Sequence, residues 1–97
     1  MPDLLETEIH KGGFTVKNDR GLHTRPSTEL VKCASKYRSK IALIYRKLRV
    51  NAKSLLGVLM LSAAKGAKVK IEAEGEDAEA AIDALVALSA KGFNVKY

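Results

Sequence analysis

The sequence predicts an α+β fold: a four-stranded, mainly antiparallel sheet with three helices on one face, in the order β-α-β-β-α-β-α. Three observations carry this. Apolar patterns of period two and period 3.6 alternate along the chain in that order. Each strand pattern offers one apolar face, which suits a sheet covered on one side only. The 97 residues, 46% hydrophobic and 29% charged, suffice for one modest core and are too few for two.

Residues 1–13 mix Asp3, Glu6 and Glu8 with Leu4, Leu5 and Ile9 and end in Gly12-Gly13, the pattern of a flexible leader before a single domain at 14–97. Phe14-Thr15-Val16-Lys17 alternates as a short strand, and Asn18-Asp19-Arg20-Gly21 has turn chemistry. From Thr24 to about Tyr37, Leu30, Val31, Ala34 and Tyr37 recur at helical spacing, with Glu29, Lys32, Ser35 and Lys36 outward.

Lys40–Tyr45 and Leu48-Arg49-Val50 read as strands joined by Arg46-Lys47, which lacks the Asn-Gly or Asp-Gly that a two-residue hairpin prefers. Ser54 is placed to N-cap a helix over 55–64. Lys68 to Glu74 alternates almost without fault, so Val69, Ile71 and Ala73 face a core. Ala78, Ala81, Ile82, Leu85 and Leu88 mark one face of the last helix, with Asp77, Glu79 and Asp83 early and Lys91 late, as the dipole favours. Gly92 suits the position just past its end, with Phe93 making the following apolar contact.

Composition narrows the function classes. The single cysteine, Cys33, excludes an internal disulfide and reads as a packing residue, consistent with a reducing, cytoplasmic setting. No Cys/His cluster resembles a metal site, so no metal or cofactor is expected. No stretch reaches the roughly 18 apolar residues that span a bilayer, and the N-terminus lacks the apolar segment of a signal peptide, so no membrane insertion is expected. The net charge of +6 points to acidic partners. A nucleic-acid-binding domain would want exposed aromatics for stacking, and Phe14, Tyr37, Tyr45, Phe93 and Tyr97 form no such motif.

Gly21-Leu22-His23-Thr24-Arg25-Pro26 places a histidine and an arginine where a strand pattern gives way to a helix. A helix start gathers amide N–H groups with no intrahelical acceptor and the positive end of the dipole, so it favours anions. Pro26 is tolerated in that first turn because the N–H it lacks would find no helical acceptor there. A neutral imidazole at that point can take up a phosphoryl group and release it. The Thr24 and Arg25 amides and the Arg25 fork can hold the phosphate oxygens. The helix start and Arg25 both disfavour imidazolium and so keep the nucleophile available. His10, in the leader, reads as a bystander.

This stretch, with Val50-Asn51-Ala52-Lys53-Ser54-Leu55-Leu56-Gly57-Val58 and Ala64-Lys65-Gly66-Ala67 running into Glu72-Ala73-Glu74-Gly75-Glu76-Asp77, resembles HPr, the histidine-containing phosphocarrier family of the bacterial sugar phosphotransferase system. The likeness covers about Phe14 to Ala90 and implies an open-faced β-sandwich. It implies a stoichiometric carrier rather than an enzyme, phosphorylated on His23 Nδ1 by enzyme I with phosphoenolpyruvate as ultimate donor. His23 then hands the group to sugar-specific enzyme IIA components.

Arg25 carries over as the phosphate partner. Ser54 matches the serine that an ATP-dependent HPr kinase modifies, and Leu55, Leu56 and Leu59 match apolar docking contacts. Thr28, Lys32 and Lys36 join them as expected partner contacts, the lysines with Arg20 and Arg25 supplying positive charge around the patch. The resemblance points to a monomer. Three departures stand out: Thr24 in place of the usual alanine, Arg46-Lys47 in place of a Gly-containing turn, and a longer leader. None removes a reactive group.

Overall fold

The computed structural model describes residues 8–95 of the chain. Its elements are β1 (Ile9–Thr15), α1 (Thr24–Ala34), β2 (Lys40–Tyr45), β3 (Leu48–Asn51), α2 (Leu55–Met60), β4 (Lys68–Glu74) and α3 (Ala78–Ala90), followed by a 3-10 turn at Gly92–Asn94. The strands form one sheet in the order β1-β4-β2-β3, and every neighbouring pair is antiparallel.

Register sorts the side chains by face. Phe14 lies opposite Val69, Gly12 opposite Ile71 and Leu43 opposite Ile71, so one face is a continuous apolar layer. The helices cover that layer, and Leu30, Leu43, Ile71, Leu85 and Phe93 are fully buried beneath them. Removing such side chains from water is the main force holding the layers together, about 1.5–3 kcal/mol for each large one. Phe93 meets Phe14 edge-on with ring centres 5.4 Å apart, as Gly92, with φ +63, turns the chain back after α3.

Asp77 stands at the start of α3 but does not cap it. Its carboxylate accepts the N–H of Arg38 at 2.8 Å, the N–H of Ser39 at 3.0 Å and the Ser39 hydroxyl, clamping the α1–β2 connection to the start of α3. These bonds, the Ser39 hydroxyl foremost, hold its carboxyl below the ordinary aspartate range.

Four expectations are corrected. The boundary at 13/14 falls inside β1, because Ile9 to Gly13 pair with β4 rather than forming a leader. Gly12 is there to let α3 approach: a Cβ on it would stand 2.5 Å from Ile82 Cγ2. The part of the proposed leader before residue 8 lies outside the described residues. The first strand therefore precedes Val16-Lys17, although Val16 still bonds Ala67 and Gly66 through its backbone. The first helix ends at Ala34, with Lys36 and Tyr37 closing into turns on Cys33 and Ala34. The second ends at Met60, because Ser62 turns left-handed at φ +50 and sends the chain back toward residue 22.

The β2–β3 hairpin does form across Arg46-Lys47, with Arg46 at φ +58 and its guanidinium 5.1 Å from the Tyr45 ring centre. A cation–π contact of roughly 0.5–1 kcal/mol offsets part of the cost of that left-handed residue.

Candidate phosphoryl-carrier site

The site is built by a turn that only glycine permits. Gly21 has φ +72, and a Cβ there would clash with the Ala63 carbonyl. The close approach lets the Leu22 N–H donate to the Ala63 oxygen at 2.9 Å, joining the residue before His23 to the segment after α2. On the other side, the Ser27 N–H donates to the His23 carbonyl at 3.0 Å and the buried Ser27 hydroxyl to the Leu22 carbonyl at 2.9 Å. His23 is thus held by its backbone from both directions.

Its own conformation is extended (φ −78°, ψ −169°) at the N-cap of α1, and its imidazole makes no capping hydrogen bond. The ring is half-buried. Thr24 and Arg25 are exposed in the first turn; Pro26 brings no N–H, and that of Ser27 is committed to His23. The exposed residues at this helix start are thus Thr24 and Arg25, directly after His23. Chemically, a histidine at a helix N-cap followed by an exposed arginine in the first turn is a combination suited to a phosphoryl group.

The other expected residues are spread along α1 and α2, which pack together. Ser54 is the N-cap of α2, its Oγ accepting the Gly57 N–H at 3.0 Å. Leu55 and Leu56 are exposed, Leu56 at 69%, while Leu59 is half-buried. Val58 and Leu61 turn into the core. Met60, 59% exposed, shares a face with Leu56 four residues back and was not among the expected contacts. The signal was present in a helix apolar all round, whose surplus had to face water.

On α1, the Thr28 hydroxyl donates to the Thr24 carbonyl at 2.8 Å, Lys36 is exposed, and Lys32 pairs loosely with Glu29 at 3.5 Å. Cys33 is half-buried, and burial pushes its thiol up against a smaller opposing pull from Lys36, the behaviour of a packing residue. His10 lies in β1, on the sheet and away from this turn, 4.0 Å from Glu8.

Among the described residues no group of three or more His, Cys, Asp or Glu stands together as a metal site, and no helix is long and apolar enough to cross a membrane.

Comparison with known proteins agrees with this geometry. The family model described as the PTS HPr component phosphorylation site matches residues 11–91. The phosphocarrier protein HPr of Xylella fastidiosa (strain Temecula1 / ATCC 700964) is 40% identical over 91 residues, 94% of this chain and 97% of that protein. The crystal structure of HPr-C-His from Thermoanaerobacter tengcongensis superposes with a TM-score of 0.85 at 40% identity, covering 91% of this chain and 99% of the other. A structure of an HPr dimer from the same organism gives 0.71 at 45% identity, over 80% and 90%.

Proposed function

The chain belongs to the HPr family of phosphocarrier proteins of the phosphotransferase system, and from that premise we propose that His23 is its phosphoryl-accepting residue. A carrier of this kind is phosphorylated and dephosphorylated in turn and is not itself a catalyst. The observation that supports His23 is its place as the extended N-cap of α1, directly before the exposed first-turn residues Thr24 and Arg25.

In the proposed step, the lone pair of His23 Nδ1 forms a bond to phosphorus while the bond from phosphorus to enzyme I breaks, its electron pair leaving with enzyme I. The Thr24 and Arg25 amides and the Arg25 guanidinium take up the phosphate charge as it arrives. The second transfer, to an enzyme IIA component, reverses these roles. Leu55, Leu56 and Leu59, with Thr28, Lys32 and Lys36 beside them on α1, form the proposed docking surface, and acidic partners fit its charge.

Ser54 is the proposed regulatory site, for an HPr kinase. Phosphate at the N-cap of α2 is tolerated by the helix and repels an acidic partner from the leucines that follow. In this reading the chain acts as a cytoplasmic monomer, and the carrier domain begins at β1 rather than after Gly13.

Incubation of the full chain with enzyme I and labelled phosphoenolpyruvate tests the proposal. Acid-labile, base-stable label is expected on wild type and on His10→Ala, and none on His23→Ala. Label persisting on a folded His23→Ala chain refutes it.

A further inference from the structure

Five of the chain's 17 lysines and arginines stand on the face of the sheet turned away from the helices. Register and alternation put Lys11, Lys40, Arg49, Lys68 and Lys70 there, against Glu72 and Glu74 alone. Among the described residues no aromatic side chain of the strands shares that face, since Phe14 and Tyr45 alternate to the other.

One end of the face is hollowed into a cavity of about 520 Å³, a size ordinary for small ligands. Four cations line it, and two are already engaged. Arg49 donates to Glu72 at 2.7 Å, and the Lys53 ammonium donates to the Tyr37 carbonyl at 2.6 Å. Arg38 and Lys40 make no ion pair with any described residue.

The remaining polar groups are suited to hydroxyls. Arg49 holds the Glu72 carboxyl below the ordinary range, so it accepts hydrogen bonds and does not donate them. Glu74 also lines the cavity, directly across from Lys40 in register. The Asn51 side-chain oxygen is taken by the Lys53 N–H at 2.9 Å, which leaves its NH₂ to donate. Arg38 and Lys40 at one end, with Asn51 and Glu72 one cross-strand row further along at Ala42, match a molecule with one phosphate and several hydroxyls. A nucleotide base would find no aromatic ring among the described lining residues to stack on.

We propose that this cavity binds a sugar monophosphate, its phosphate on Arg38 and Lys40 and its hydroxyls against Asn51 and Glu72. The site goes beyond the carrier reading, because it lies on the sheet face opposite α1 and His23. It also adjoins the turn that presents Ser54, whose N–H donates to the Asn51 carbonyl at 3.0 Å.

The test is a titration of the ¹⁵N-labelled full chain with glucose 6-phosphate, alongside glucose, inorganic phosphate and AMP. Saturable shifts are expected at the amides of Arg38, Lys40 and Asn51, with glucose 6-phosphate binding about tenfold tighter than inorganic phosphate or glucose. Arg38→Gln should weaken it about tenfold. The fold should survive that change, because the backbone of Arg38 and not its side chain bonds Asp77. Lys40→Gln is the second variant and should act alike. Shifts confined to Thr24 and Arg25, affinity no better than that of inorganic phosphate, tighter binding of AMP, or no shift at all would each overturn the proposal.

Discussion

Ser54 serves α2 as a cap and, in the proposed regulation, carries the inhibitory charge; two substitutions separate these roles. Its Oγ satisfies the Gly57 N–H at 3.0 Å, so Ser54→Ala should cost about 1 kcal/mol, or about 4–8 °C in Tm for a domain of this size. Ser54→Asp keeps an acceptor at the cap and adds a charge. At about 7 Å from a partner carboxylate in water, that charge costs about 0.6 kcal/mol, close to threefold in rate.

The effect should act on docking rather than on chemistry. Six residues of α2 span about 9 Å between Ser54 and the segment bonded to Leu22. The assay is the initial rate of His23 labelling by enzyme I, at low salt and at about 1 M, where the screening length falls to about 3 Å, with thermal melts in parallel. Ser54→Ala should melt earlier and accept phosphate at the wild-type rate. Ser54→Asp should melt like wild type and react about threefold more slowly at low salt, with the gap closing at high salt. Equal slowing of both variants, or a wild-type rate for Ser54→Asp, refutes the reasoning.

Gly12→Ala should destabilise the chain by about 1–2 kcal/mol, overpacking against Ile82 outweighing the gain in backbone entropy; denaturant unfolding should show the penalty shrinking in an Ile82→Leu background, which removes the γ2 methyl, and strict additivity would contradict the close contact of β1 with α3. Asp77 has its carboxyl pKa lowered by folding, so its contribution is present above the ordinary value of 3.8 and is lost as pH falls through the lower folded value. The stability gap between wild type and Asp77→Asn should therefore be widest near neutral pH and close in acid; a gap constant down to pH ~2 would refute the clamp. Leu56→Ser and Met60→Ser should leave Tm nearly unchanged, because both side chains face water, while raising the chain concentration needed for half-maximal phosphorylation by enzyme I. Unchanged transfer kinetics would remove α2 from the docking surface.

Elements were legible in the sequence wherever their reason was local. β4 runs from Lys68 to Glu74 as its strict alternation requires, and α3 ends at a glycine followed by a buried Phe93, as its C-terminal residues announce. The position of His23 and Arg25 at a helix start was legible for the same reason, since a glycine turn running into a helix is written in six consecutive residues. Gly12-Gly13 misled because glycine carries no hydrophobic signal; its place in β1 depends on Ile82, seventy positions along the chain.

The sequence by itself determined the order of elements, the covered face of the sheet and the place of His23 at a helix start, because backbone propensity and apolar period act over a few residues. The tertiary structure alone decided that Ala63 braces the residue before His23, that Asp77 ties two connections together, and that scattered lysines and arginines meet on one open face. Those features arise between groups far apart in the chain, whose proximity is fixed only when the helices close over the sheet and the core excludes water.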